Sequence, residues 1–367
     1  MAPDLEKAAV LIQEALLREL GDEVELILHF GSRVRKDTHK YSDLDLCYIP
    51  ANESTWDHIT VLAEDTLLDL FAIHWSRFEE MAQFGHVNCT ILLNSEIVYQ
   101  RDEEAARRFL DLRESFRALQ TPEAHPAMLR KAQELFKGTG YPYYLLRRQA
   151  EEGHQLAAMY HAQEILKIVL HTLAVLNQAC IDTRKLEQVL ALSKLPPDFA
   201  GKVQALMTTA DPAQLLQATE DLLDGTRALL LEEQAKESSG EVNFREVFDS
   251  TYPEFKASIQ HLMLACERED LFTFELMSLY HELMIHMAWA LSGAGYSDFN
   301  SIAEYEQDLP ALGFPNLLPY IEVGDFAGLY EQCRLFDRRL REFLAERGVS
   351  LNSFATLDAL QAYLASR

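Results

Sequence analysis

Residues 31–46 read GSRVRKDTHKYSDLDL, and the fold of the first hundred residues turns on this stretch. Immediately before it, Val24–Phe30 (VELILHF) has the length and apolar character of a strand that ends at Gly31. The chain then turns basic at Arg33, Arg35 and Lys36. After ten residues intervening from Ser32 comes Asp43-Leu44-Asp45, at the start of a second strand, Leu44–Ile49, closed by Pro50. Side chains alternate along a strand, so Asp43 and Asp45 share one face while Leu44 points into the core.

Each residue type brings a defined capability. Gly31 has no side chain, which lets the backbone approach a phosphate closely. Ser32 adds a hydroxyl and an N–H at the start of an expected helix, where unpaired N–H groups and the helix dipole favour anions. Two adjacent carboxylates repel each other unless a divalent cation neutralises them. Hard oxygen ligands beside a phosphate site suit Mg²⁺. A third carboxylate is expected on a neighbouring strand. Asp69 fits, because it interrupts the apolar run Leu67–Phe71, where a charge otherwise needs an explanation.

Working outward, Leu5–Leu20 has apolar residues at helical spacing and a stop at Gly21. Trp56–Asp65 is expected as a helix and Leu67–Ile73 as a third strand. Val87–Leu93 and Glu96–Tyr99 are expected as short extended runs. The class is therefore α+β. Residues 1–118 form an α/β domain with a small mixed sheet, and two helical bundles follow at 119–235 and 241–367. Pro122 and Pro126 mark the first boundary, and KESSG at 236–240 the second. The bundles look like tandem copies. Tyr160-His161 recurs as Tyr280-His281, and Asp211 opens a long amphipathic stretch as Asp325 does.

Composition limits the partners. The net charge of −25 argues against a large DNA or RNA surface. It is compatible with a cationic small substrate and equally with plain solubility. No stretch approaches the roughly 20 apolar residues of a transmembrane helix, and neither end resembles a targeting signal. Five scattered cysteines without CxxC spacing favour free thiols in a reducing, cytoplasmic setting.

The motif GSRVRKDTHKYSDLDL resembles the signature of the DNA polymerase β-like nucleotidyltransferase superfamily. It is most similar to that of the kanamycin (aminoglycoside) nucleotidyltransferases. The spacing from GS to Asp43, the tripeptide Tyr41-Ser42-Asp43, Arg35 and Asp69 all fall on that pattern, and the likeness extends over residues 20–235 through Glu134-Leu135-Phe136. The resemblance implies transfer of a nucleoside monophosphate, usually AMP, from ATP or another NTP to a hydroxyl of a small acceptor. Asp43, Asp45 and Asp69 would hold two Mg²⁺ ions. Gly31, Ser32 and Arg35 would grip the β and γ phosphates. The chain departs from the family just after Glu134-Leu135-Phe136. Lys137 stands where a catalytic glutamate is expected and Tyr141 near a lysine position. Lys137 is then a candidate phosphate contact, and Glu134 or Asp69 a candidate base.

Other readings carry less. Arg148 and His154 match the permissive Arg-x(4–6)-His spacing of HEPN ribonucleases, but helix histidines in packing or solvent contacts are the default. Met263, Met277, Met284 and Met287 read as core. A second functional class stays open: a protein-modifying (AMPylating) or toxin–antitoxin-type transferase, or an inactive nucleotide-binding regulator. Family enzymes can form dimers with sites between subunits. Here the second bundle is expected to stand in for a partner's helical domain, making a pseudo-dimeric monomer, with a homodimer as the alternative. Sedimentation should then find a monomer, and an obligate dimer with a site built across two chains would overturn that expectation.

Overall fold

The computed structural model describes residues 5–36, 38, 42–52, 58–63, 66–86, 88–237, 245, 248, 252–269, 310 and 312–366. These group into two compact units, Met1–Leu230 and Leu231–Arg367.

The first unit is built on a five-stranded sheet. Helix α1 (Leu5–Leu20) leads into β1 (Val24–Phe30), and the single turn α2 (Ser32–Arg35) follows. Then come β2 (Leu44–Pro50), β3 (His58–Ala63), β4 (Thr66–Ala72) and, after two helices, β5 (Glu96–Gln100). The strand order is β3-β4-β2-β1-β5. Strands β2 and β4 run parallel and the other pairs antiparallel, so the sheet is mixed as expected. Ile12 and Leu16 of α1 pack with Ile27, Leu44, Leu46, Leu68 and Leu70 on one face of it. Helix α5 (Glu103–Ala118) lies along β1 and β5, and its Phe109 meets Phe78 of α3 (Trp75–Ala82) edge to face at 5.3 Å.

Two expectations fail locally. Within the stretch expected as a helix at Trp56–Asp65, the described residues His58–Ala63 form a strand paired along its length with β4. Ile59, Thr60 and Val61 are β-branched in succession, which restricts them in a helix and suits a pleated surface. Conversely, Cys89–Asn94 is a short helix, α4, where an extended run was expected. Its buried residues are Cys89, Ile91 and Leu92, a spacing that a period-two strand does not give. Packing against α3 and α5 decides the outcome.

The helical part of the same unit comprises α6 (His125–Lys137), α7 (Gly140–Glu151), α8 (Gln155–Leu176), α9 (Leu186–Leu190) and α10 (Phe199–Thr208). Helix α11 (Pro212–Glu237) follows and runs past the unit boundary. Helices α6 and α7 pack on α8. His171 of α8 is buried, and burial pushes its imidazole down to about 4, so it is a neutral core histidine. Arg148 pairs with Glu152 at 2.8 Å, and His154 lies 2.9 Å from the Gln149 side chain, which is the bland reading of both.

The second unit contains α12 (Tyr252–Glu267), α13 (Leu318–Glu322), α14 (Phe326–Glu346) and α15 (Leu357–Ala365). Phe255, Ile259, Leu329, Phe336, Leu340 and Phe343 form its core, with Met263 packed against it. The Asp211 and Asp325 carboxylates each accept the N–H three residues on at 2.9 Å, so both positions cap long helices. Tyr280-His281, Met277, Met284 and Met287 lie outside the described residues, as do 238–240 of the expected linker. Among the described residues no helix is long and apolar enough to cross a membrane, and all five cysteines are free.

One buried charge fastens α12 to α14. Asp337 accepts from the Tyr252 hydroxyl at 3.0 Å and from Lys256 Nζ at 2.8 Å. Burial first, then the Asp337 charge, pushes Tyr252 up to about 12. Replacing Asp337 with Ala leaves a buried hydroxyl and a half-buried cation without their acceptor, and should cost about 2 to 3 kcal/mol. Denaturant unfolding followed by circular dichroism checks this; an unchanged midpoint would contradict the fastening role.

Candidate nucleotide and metal site

Strand register places the acidic residues. Phe30 pairs with Asp45, Asp45 with Asp69, and Asp69 with Thr60. Partnered residues project to the same side, so these four form a row across the sheet, and Asp43 joins the face one pleat earlier. The next row is Leu28, Cys47, Phe71 and His58, with Phe30 and Phe71 edge to face at 5.9 Å. Asp43, Asp45 and Asp69 thus share the face on which the Gly31 turn opens.

Gly31 is buried with φ +86°, a conformation that L side chains rarely adopt. A Cβ added there would fall onto the Asp45 Oδ2 atom and within 2.8 Å of its Cγ. The backbone of the turn therefore lies directly against a carboxylate of the acidic face. Beside it, the Ser32 hydroxyl oxygen is buried and makes no hydrogen bond. A buried hydroxyl without a partner is costly, and this one stands where a phosphate oxygen would satisfy it. The helix that begins at Ser32 is a single turn of four residues. A single turn contributes little helix dipole, so the local N–H and hydroxyl groups are what this position offers to an anion.

The three basic residues of the motif do different things. Arg33 donates from Nε to the Asp43 carbonyl at 3.0 Å and from Nη2 to the Ser42 carbonyl at 3.2 Å. Its role is to hold the start of β2 against the turn. The charge of Arg35 is felt at Asp45, whereas Lys36 is exposed in a left-handed conformation that ends the turn. Tyr41 of the motif lies outside the described residues.

Electrostatics single out Asp45. Burial, then the charges of Asp43 and Asp69, push its carboxyl up to about 6. Arg184 and Arg35 pull the other way. Asp69 is engaged through Oδ1, which accepts from the Thr60 hydroxyl at 2.7 Å and lies 2.9 Å from His58 Nε2. Among the described residues no three His, Cys, Asp or Glu side chains are gathered closely enough to hold a metal ion by themselves. The face offers carboxylate oxygens of the hard kind a divalent cation takes, with a mutual repulsion that such a cation would relieve.

Glu134 and Lys137 sit one turn apart on α6 and pair with each other at 2.8 Å. Neither is among the charges that shift Asp45. Tyr141, in the first turn of α7, is exposed. Residues that motif reading missed are Asp182 and Arg184, in the loop between α8 and α9. Arg184 forks onto Asp182 through Nε at 2.9 Å and Nη2 at 3.0 Å, and its charge reaches both Asp45 and Asp43. His58 and Thr60 were also missed, because their strand was read as a helix.

No protein-family model matches the chain, and no curated protein is similar to it in sequence at a significant level. Among solved structures, the chain is similar to a nucleotidyltransferase-like protein from Exiguobacterium sibiricum 255-15. The TM-score is 0.37 and the identity 15%, over 87% of this chain and 92% of that one. A similarity at this level leaves the site to be read from its own residues.

The raised carboxyl of Asp45 has a signed consequence for stability. Its folded-state value lies above the unfolded one, so the protonated form favours folding. The benefit is full below about pH 4 and is lost as pH rises through 6. Without divalent cations, Asp45→Asn should stabilise the protein at pH 7.5 by about 1 to 2 kcal/mol, allowing for solvent screening of a partly exposed group. The gain should shrink toward pH 4.5. Denaturant melts at the two pH values in chelator test this, and a pH-independent difference would refute it.

Proposed function

We propose that the chain is a nucleotidyltransferase that moves a nucleoside monophosphate, AMP from ATP in the first instance, to a hydroxyl of a small acceptor. Pyrophosphate is the leaving group. The observation that carries this reading is the unsatisfied Ser32 hydroxyl, next to a Gly31 backbone that itself abuts the Asp45 carboxylate. A phosphate-accepting turn and an acidic, cation-seeking face meet at one point, and polyphosphate transfer needs that conjunction.

In this reading the Ser32 hydroxyl and neighbouring N–H groups donate to the β and γ phosphates, and Arg35 adds positive charge. Asp43, Asp45 and Asp69 are the residues that would hold Mg²⁺. When bound, Mg²⁺ neutralises phosphate charge and lowers the barrier to attack by the acceptor hydroxyl. A bond forms between the acceptor oxygen and the α-phosphorus. The bond from that phosphorus to the oxygen bridging to the β-phosphate breaks. Asp69 has Oδ1 taken up by His58 and Thr60, which leaves Oδ2 for one of two roles, ligand to Mg²⁺ or acceptor of the hydroxyl's proton. Glu134, tied to Lys137, is the less suited of the two candidate bases. The charge of −25 suits a cationic acceptor of the aminoglycoside type.

Purified protein incubated with α-labelled ATP, Mg²⁺ and an aminoglycoside panel should place label on a small molecule and release pyrophosphate. Asp43→Ala and Asp45→Ala should each abolish transfer while the protein still folds. Ser32→Ala should weaken nucleotide binding about fivefold, one hydrogen bond of roughly 1 kcal/mol. Label found only on protein would replace the small acceptor with a protein target, and absence of nucleotide binding would refute the transferase reading altogether.

A further inference from the structure

The loop joining α8 to α9, residues 177–185, is fixed at several points. The Gln178 side chain donates to the carbonyls of Leu119 at 2.7 Å and Thr121 at 2.6 Å. Asn177 donates to the Lys194 carbonyl and accepts the Lys194 N–H, both at 2.8 Å. The Asp182 N–H donates to Gln188 Oε1 at 2.9 Å. A loop tied to three separate segments presents its side chains in one arrangement.

What it presents is a guanidinium. The Asp182 side chain is only 10% exposed, whereas that of Arg184 is 83% exposed. Asp182 accepts from Arg184 Nε, Nη2 and backbone N–H. An arginine side chain has five N–H donors, so this fork leaves three of them uncommitted to Asp182. Arg184 is also near enough to the acidic face for its charge to act on Asp45 and Asp43, just as Arg35 acts on Asp182. Yet its ion pair is with Asp182 and not with either of those carboxylates. A long cation left to itself beside three aspartates would close onto them. Here the fork holds it back.

We propose that Arg184 is a phosphate-binding residue of the nucleotide site, held by Asp182 as its positioning residue. This rests on the nucleotidyltransferase reading and extends it to the helical part of the first unit. Arg184 donates its uncommitted N–H groups to the triphosphate held at Gly31 and Ser32. The planar guanidinium suits two phosphate oxygens at once. Asp182 spends two of the donors on fixing the plane, and its negative charge is neutralised by the same contact.

The test is calorimetric binding of ATP, of adenosine and of inorganic tripolyphosphate, with Mg²⁺, to the full chain and to R184Q, R184K and D182N. No acceptor or turnover is needed. R184Q should weaken ATP and tripolyphosphate by ~10- to 100-fold, the value of a charge-assisted contact, and leave adenosine unchanged. R184K should recover only part of the loss, because an ammonium lacks the fork. D182N should fall between the parent and R184Q, with melting temperatures confirming the fold of each variant. If ATP binds the parent and R184Q equally, the inference fails and the transferase reading survives. If the parent binds neither ATP nor tripolyphosphate, both fail. Equal recovery by R184K would overturn the fork geometry.

Discussion

The Asp45 carboxylate occupies the space that a side chain at residue 31 would need. This single close approach joins two chemistries that are otherwise separate, a backbone turn able to receive phosphate and a strand able to present carboxylates to a cation. It exists because β2 is an inner strand, antiparallel to β1 on one side and parallel to β4 on the other. Pairing of Phe30 with Asp45 brings the end of β1 level with the start of the acidic face, and pairing of Asp45 with Asp69 supplies the third carboxylate. A register shift of one residue would turn both strand aspartates into the core. The core face of Leu44, Leu46, Leu68 and Leu70 beneath α1 therefore specifies the site as firmly as it specifies the sheet.

The arrangement carries electrostatic strain. Burial, then the charges of Asp43 and Asp69, push Asp45 up to about 6, and two arginines only partly offset them. A protein selected for stability alone would replace one aspartate with a neutral residue, and persistence of such repulsion is characteristic of sites that take up a compensating charge. The unsatisfied Ser32 hydroxyl tells the same story from the opposite sign. It is a buried donor without an acceptor, next to the residue that the Asp45 carboxylate abuts. Each defect is the kind that a metal–polyphosphate pair repairs.

Much of this was legible in the sequence, for identifiable reasons. Strands β1 and β2 announce themselves as short apolar runs closed by Gly31 and Pro50, β4 and β5 as short apolar runs alone, and D-x-D on a period-two element fixes the shared face of Asp43 and Asp45 without further information. Strand β3 was misread because six exposed or half-exposed residues at a sheet edge give no buried alternation, and its evidence lies in β-branching and in the partner strand. That error hid His58 and Thr60, the side chains that engage Asp69. Asp182 and Arg184 were invisible for another reason. An irregular loop carries no periodicity, and an Asp-x-Arg fork is unremarkable until folding brings it near the acidic face. Glu134 and Lys137 entered through resemblance alone, and the structure gives them a sufficient partner in each other.

The basic cluster of the motif shows why like charges close in sequence need separate accounts. Arg33, Arg35 and Lys36 all appear to offer phosphate contacts when counted as charge. Arg33 instead commits its donors to the carbonyls of Ser42 and Asp43, closing the ten-residue excursion between the turn and the acidic strand. Deletion of that clamp would free the start of β2 to fray, and Asp43 would lose its fixed position relative to Ser32 even though neither residue had changed. Arg35 acts at longer range, through its charge on Asp45 and on Asp182. In the proposed reading the positive charge needed at a polyphosphate comes from different parts of the chain, one contribution following the turn and another, at Arg184, held by a buried carboxylate in the helical part. A lysine would serve for the charge alone. The planar guanidinium of Arg33 holds two carbonyls at once and ties the turn to the start of β2, whereas that of Arg184 is fixed within its own loop by both oxygens of Asp182.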